Sequence, residues 1–166
     1  MAQNNVALGG LKCPAEADEA SPLIAVRRLL LALAPHDCIS LTQDCLTIRP
    51  ATGTGFTISL LRGPGSWIVF FDGWHDEFPD LEMVLALIRQ ALSGEVRLRV
   101  DRMGQKPWRW TVERRLGDAT WVALYSNAVF MLGRGQANHT VIYRNSYQNE
   151  GREAPLAVRL ALKQVG

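Results

Sequence analysis

The sequence predicts an α+β fold, a two-layer sandwich in which a mainly antiparallel sheet of about six strands carries two main helices. Three observations predict it. Residues 95–115 alternate charged and apolar side chains about a glycine turn, which is the pattern of a hairpin with one wet face and one dry face. Two segments, 21–34 and 79–93, have helix signals at their ends. Glycine-rich turns join most of the other β-rich runs, so neighbours in sequence should pair antiparallel. The element order reads α-βββ-α-βββ, with room for a fourth late strand and a short C-terminal helix.

Residues 1–20 are polar and aperiodic and are expected to form a flexible tail. Residues 21–147 make one domain. Ser21 suits a helix N-cap and Pro22 the first helical position, and Pro35 stops that helix. Apart from Arg27 and Arg28 the helix is apolar almost all round, which suits either burial or a partner. Packing on the sheet is the favoured expectation; its rival is contact of residues 21–34 with a protein partner or a second copy of the chain, through Leu23, Leu30 and Leu31.

Cys45–Arg49 and Phe56–Leu61 read as a hairpin across the turn 50–55, and Trp67–Phe71 as a strand buried on both faces. The second helix has Pro79 near its start and Asp80 and Glu82 in its first turn, where the dipole favours acids. Leu81, Val84, Leu85, Ile88 and Leu92 share one of its faces, and Gly94 caps it. The Arg/Trp hairpin follows. Thr120–Tyr125, the apolar run Ala128–Leu132 and Thr140–Arg144 are the later strand candidates. Residues 148–166 read as an extension, with a short helix over Pro155–Lys163. Tyr143–Asn149 is polar and aromatic, suited to a binding surface or to a fading edge strand.

At 166 residues the chain is long enough to bury a core, and 48% apolar against 20% charged residues makes it globular. The longest apolar stretch, Leu23–Ala34, spans 12 residues and holds two arginines. A membrane helix needs about 20, so none is expected. The formal charge of +2 hides an asymmetry: residues 1–94 carry six basic and ten acidic groups, residues 95–166 twelve and six. Such imbalance marks a surface for acidic partners, unless it reflects only a composition in which Arg outnumbers Lys fifteen to three. Cys13, Cys38 and Cys45 form no dense framework and read as reduced thiols of a cytoplasmic, bacterial-type protein.

Two groups of residues have the chemistry of a site. Asp72, Trp74, His75, Asp76 and Glu77 place three carboxylates beside an imidazole in the segment 71–78, types that suit metal ligation or general base work. Their spacing matches no known site, and the structural alternative is a helix cap at Asp76 or Glu77 with Trp74 covering the core. Arg97, Arg99 and Arg109 are expected on one sheet face with Asp101 and Glu113 interspersed, while Trp108 and Trp110 fall on the opposite, core face. That separation of rings from guanidiniums disfavours nucleic acid. His36, Asp37, Cys38 and Cys45 lack a zinc pattern, and no Gly-x-Gly turn precedes a helix that would cradle phosphate. No cofactor, metal or catalytic set is expected. The favoured expectation is a non-catalytic binding or accessory module. Its rivals are a small-molecule or metal-binding domain, or enzyme, near Trp74-His75-Asp76, and a nucleic-acid binder that uses the Arg-rich face.

Overall fold

Two antiparallel sheets, where one of about six strands was expected, carry the fold. The computed structural model describes residues 22–129 and 139–147. The tail 1–20, the Ser21 cap, Cys13, most of the run 128–132, the turn at Gly133–Gly135 and the extension 148–166 with its expected helix lie outside the described residues.

The first sheet has five strands in sequence order: β1 (Ile39–Leu41), β2 (Cys45–Ile48), β3 (Ile58–Gly63), β4 (Ser66–Phe71) and β5 (Trp74–Phe78). The second has four, β6 (Val96–Met103), β7 (Lys106–Leu116), β8 (Thr120–Ala128) and β9 (His139–Tyr143), in the order β8-β7-β6-β9. Helix α1 (Pro22–Leu30) lies on β1 and β2, and α2 (Leu81–Ser93) packs on β4, β5 and β6 and so joins the sheets. The α+β class with antiparallel pairing is what the sequence predicts; the strand count and the single sheet are corrected.

Both additional strands have a physical reason for having been missed. β1 is three residues long, too short for its alternation to register. β5 carries His75, Asp76 and Glu77 between Trp74 and Phe78, and acids are depleted in strands. Its two aromatics point inward with Asp76, His75 and Glu77 point outward, and the whole strand pairs with β4. β4 itself alternates: Trp67, Val69 and Phe71 are buried, whereas Ile68 and Phe70 are half-buried on the far face.

Helix α1 is shorter than expected, ending at Leu30 with a turn over residues 31–34. Its Leu23, Val26 and Leu30 are buried in this chain's own core, and Leu31 packs against that core. Leu23, Leu30 and Leu31 are thus not an open partner surface. The large apolar side chain this helix exposes is Leu29. α2 starts at an N-cap, but the cap is Asp80, whose carboxylate accepts from the Glu82 N–H at 2.9 Å, not Asp76 or Glu77. Gly94 closes it in the left-handed region at φ 77°.

The core lies between the sheets and helices. Leu46, Ile48, Ile58, Leu60, Val69, Phe71 and Trp74 come from the first sheet, and Val96, Leu98, Val100 and Val112 from the second. Each such side chain contributes about 1.5–3 kcal/mol relative to exposure. Tyr125 of β8 closes an aromatic chain with Trp74 and Phe78 at 5.6 and 5.7 Å between centroids.

Over residues 144–147 the polar segment after β9 is anchored to the body of the fold through Asn145 and Tyr147, while Arg144 and Ser146 stay exposed; Gln148 and Asn149 lie outside the described residues. Asn145, 1% exposed, accepts from the Phe56 N–H at 2.9 Å and donates to the Phe56 carbonyl at 3.0 Å. The Arg144 N–H donates to the Thr54 carbonyl, and the Tyr147 N–H to the Leu92 carbonyl. Burial, reinforced by the nearby Cys38 thiol and Asp37, pushes the Tyr147 hydroxyl up to about 12, so it stays protonated and donates to the Arg49 carbonyl. Residues 144–147 thereby fasten the second sheet to the 49–56 loop and to the end of α2.

Candidate functional site

Strand alternation and register build the guanidinium face. Val96, Leu98 and Val100 turn toward α2, so Arg97, Arg99 and Asp101 must turn away from it. The β6–β7 register sets Arg97 opposite Glu113, Arg99 opposite Thr111 and Asp101 opposite Arg109. These residues share one face, as the sequence pattern implies.

An alternating chain of charges runs across the two strands. Arg97 Nε donates to Glu113 Oε2 at 2.6 Å, and Arg99 Nη1 lies 3.6 Å from Glu113 Oε1. Arg99 Nε donates to Asp101 Oδ1 at 3.1 Å, and Arg109 reaches Asp101 Oδ2 at 2.6 and 2.7 Å. Thr140 of β9 adds a hydroxyl donor to Asp101 Oδ1 at 2.8 Å. The carboxylates form the floor: the side chains of Asp101 and Glu113 are 1% and 8% exposed, against 23–39% for the three arginines. Burial alone would raise the Asp101 pKa. The hydrogen bonds from Thr140, Arg109 and Arg99, with the Arg99 charge, outweigh it and hold the carboxyl below its usual range.

The face continues past these three. Arg115 shares it, with its guanidinium donating to the Gly117 and Asp118 carbonyls of the β7–β8 turn. Trp121 stands opposite Arg115 and therefore on the same side. The Arg97 guanidinium lies 4.2 Å from the centre of the Trp121 ring and that of Arg144 5.6 Å. Both α2 and β5 pack on the opposite, apolar side, which also holds Val112 and Trp110. Solvent here meets guanidinium and indole, with Asp101 and Glu113 underneath and the exposed Asp118 carboxylate 4.0 Å from Arg115 at the β7–β8 turn.

The segment 71–78 does not converge. Asp72 sits in the β4–β5 turn at φ 49°, and its Oδ1 accepts from the Thr57 N–H at 3.1 Å. Burial raises its pKa, only partly offset by those bonds to Thr57. Trp74 is fully buried in the core. His75 stacks on Phe70 at 5.3 Å, Glu77 accepts from the Ser66 hydroxyl, and Asp76 turns to the other face and accepts from the Glu77 N–H. Period-two geometry thus separates the imidazole from Asp76, and the turn holds Asp72 apart. Among the described residues no three His, Cys, Asp or Glu are grouped to hold a metal ion, and no helix is long and apolar enough to cross a membrane. Cys38 lies at the level of Arg49, near one end of the β1–β2 hairpin, and Cys45 beside the turn at the other end. Four strand residues separate those levels, about 13 Å.

Trp121 and Asn145 were not singled out in the sequence. The first carried a readable signal: Trp121 lies five residues past Leu116 across a Gly-Asp turn, which fixes its side once the turn is counted. The second did not, since an asparagine that pairs 89 positions away leaves no local pattern. The chain matches no protein-family model, no curated protein and no solved structure.

Proposed function

We propose that this chain is a non-catalytic binding module and that its working surface is the outer face of the four-stranded sheet, taking an anionic partner. One observation carries the reading: Arg97, Arg99 and Arg109 stand together over two buried carboxylates. Carboxylates fixed below hold each guanidinium by one edge and leave its remaining donors for a ligand. Arginines ordered in advance lose less side-chain entropy on binding. With Arg115 and Arg144, five guanidiniums stand against three carboxylates on this surface, the third being exposed Asp118 beside Arg115 at 4.0 Å. The exposed groups that converge are guanidiniums, which recognise anions, while the carboxylates of Asp101 and Glu113 are engaged beneath them. A reducing, cytoplasmic compartment accords with Cys38 and Cys45, which the register holds apart.

Retention on a polyanion column tests this. The protein should bind at about 50 mM salt and elute as salt rises, since such contacts exchange with counterions. The double variant Arg97→Gln/Arg109→Gln keeps an amide donor for each carboxylate and should elute several-fold earlier in salt. Arg28→Gln, exposed on α1 and remote from the face, should elute as the parent does. Absence of retention at low salt, or equal shifts for both variants, would discard the assignment.

A further inference from the structure

Trp121 changes what the anionic partner is. Trp110 packs on the apolar side of β7 as the sequence pattern expects, but Trp108 falls at the bulge opposite Asp101 and Arg102, with the Arg109 guanidinium 5.0 Å from its ring, so the expected separation of Trp108 from the arginines is corrected. Trp121 stands opposite Arg115, half-buried, with the Arg97 and Arg144 guanidiniums at its ring. Arg97 is held to Glu113 and Arg144 to the Gly94 carbonyl, each through Nε, and their terminal nitrogens have no partner among the described residues. Ile142, opposite Arg99 on β9 and 42% exposed, extends the apolar part of this face.

We infer that this face takes single-stranded nucleic acid, in which a base displaces the Arg97 guanidinium from the Trp121 ring and stacks there while Arg97, Arg99, Arg109 and Arg144 turn to phosphates; the inference rests on the anionic-partner reading above. An acidic polypeptide would use the guanidiniums but has no planar group to lay on an indole. A nucleotide uses both, which is how single strands bind grooves that combine basic and aromatic side chains. A duplex fits worse, because its bases are already stacked on one another and leave no open face for Trp121. Arg97 and Arg99 repeat every second residue along β6, about 7 Å apart, so successive charges of an extended strand can each meet one. Asp101 and Glu113 lie beneath the guanidiniums and are shielded from a phosphate laid on top.

Fluorescence anisotropy with three labelled probes tests it on the full chain: an oligothymidylate of about a dozen nucleotides, an abasic deoxyribose-phosphate strand of the same length, and an oligoglutamate. The oligothymidylate should bind at least about fivefold tighter than the abasic strand, the gain expected from one stacked base. Trp121→Ala, with its fold checked by circular dichroism, should erase that preference. If that variant does not fold, the wild-type comparison of the first two probes still decides. Equal affinity for both strands, a preference that survives Trp121→Ala, or binding of oligoglutamate alone overturns the nucleic-acid assignment and leaves the anionic-partner reading intact. Failure to bind any of the three removes both.

Discussion

Asp101 is almost wholly inaccessible and still charged, because Thr140, Arg99 and Arg109 all donate to it. Its folded pKa lies below the ordinary 3.8, so the folded state holds that proton more weakly than the unfolded chain. The resulting stabilisation is complete above 3.8 and is lost as pH falls through the folded value. Asp72 works the other way. Burial raises its pKa, so its ionised form is disfavoured by folding, and stability falls as pH climbs from 3.8 through the raised value. Asp101→Asn should lose about 1–3 kcal/mol at neutral pH, since the arginines it serves are partly solvated. Its urea midpoint should also respond less than the parent's to acid below 3.8. Undiminished acid sensitivity would place the titrating group elsewhere.

At the scale of elements, the β4–β5 hairpin shows where local pattern misleads. Asp72-Gly73 between Phe71 and Trp74 is a strong hairpin dipeptide, yet the acids after it resemble the first turn of a helix. The register shows the hairpin signal prevailing. Trp110 of β7 packs so closely on Gly73 that a Cβ there would collide with the indole. Gly73→Ala should therefore cost about 1–3 kcal/mol in chemical denaturation, the usual penalty of overpacking. A neutral result would mean that Trp110 yields readily. The β6–β7 hairpin was legible from Val96 to Asp101, including the face that carries Arg97, Arg99 and Arg109, because its eight- and eleven-residue strands give alternation room to repeat; the bulge that displaces Trp108 was not. β1 offers three residues and β5 five, so their edges were not. The candidate site was half legible for the same reason. Its arginines follow the long alternating strands, whereas Trp121 joins them only through the turn at Gly117.

For the molecule as a whole, two sheets become one body through α2, the Trp74–Phe78–Tyr125 rings and the segment 144–147. Asn145→Ala removes both bonds to Phe56 and leaves a buried N–H and C=O without partners. It should destabilise the protein by about 2–4 kcal/mol. Hydrogen exchange should quicken around Phe56 and Leu92 more than in β7, and uniform quickening would mean the fastening is not local. The same asparagine has a consequence in time. Translation delivers Phe56 long before residue 145, and at about 5–20 residues per second the 89-residue gap lasts roughly 4–18 s. Until then the five-stranded half waits on the ribosome with that main chain open to water, and the last described stretch of the polypeptide acts as its clasp.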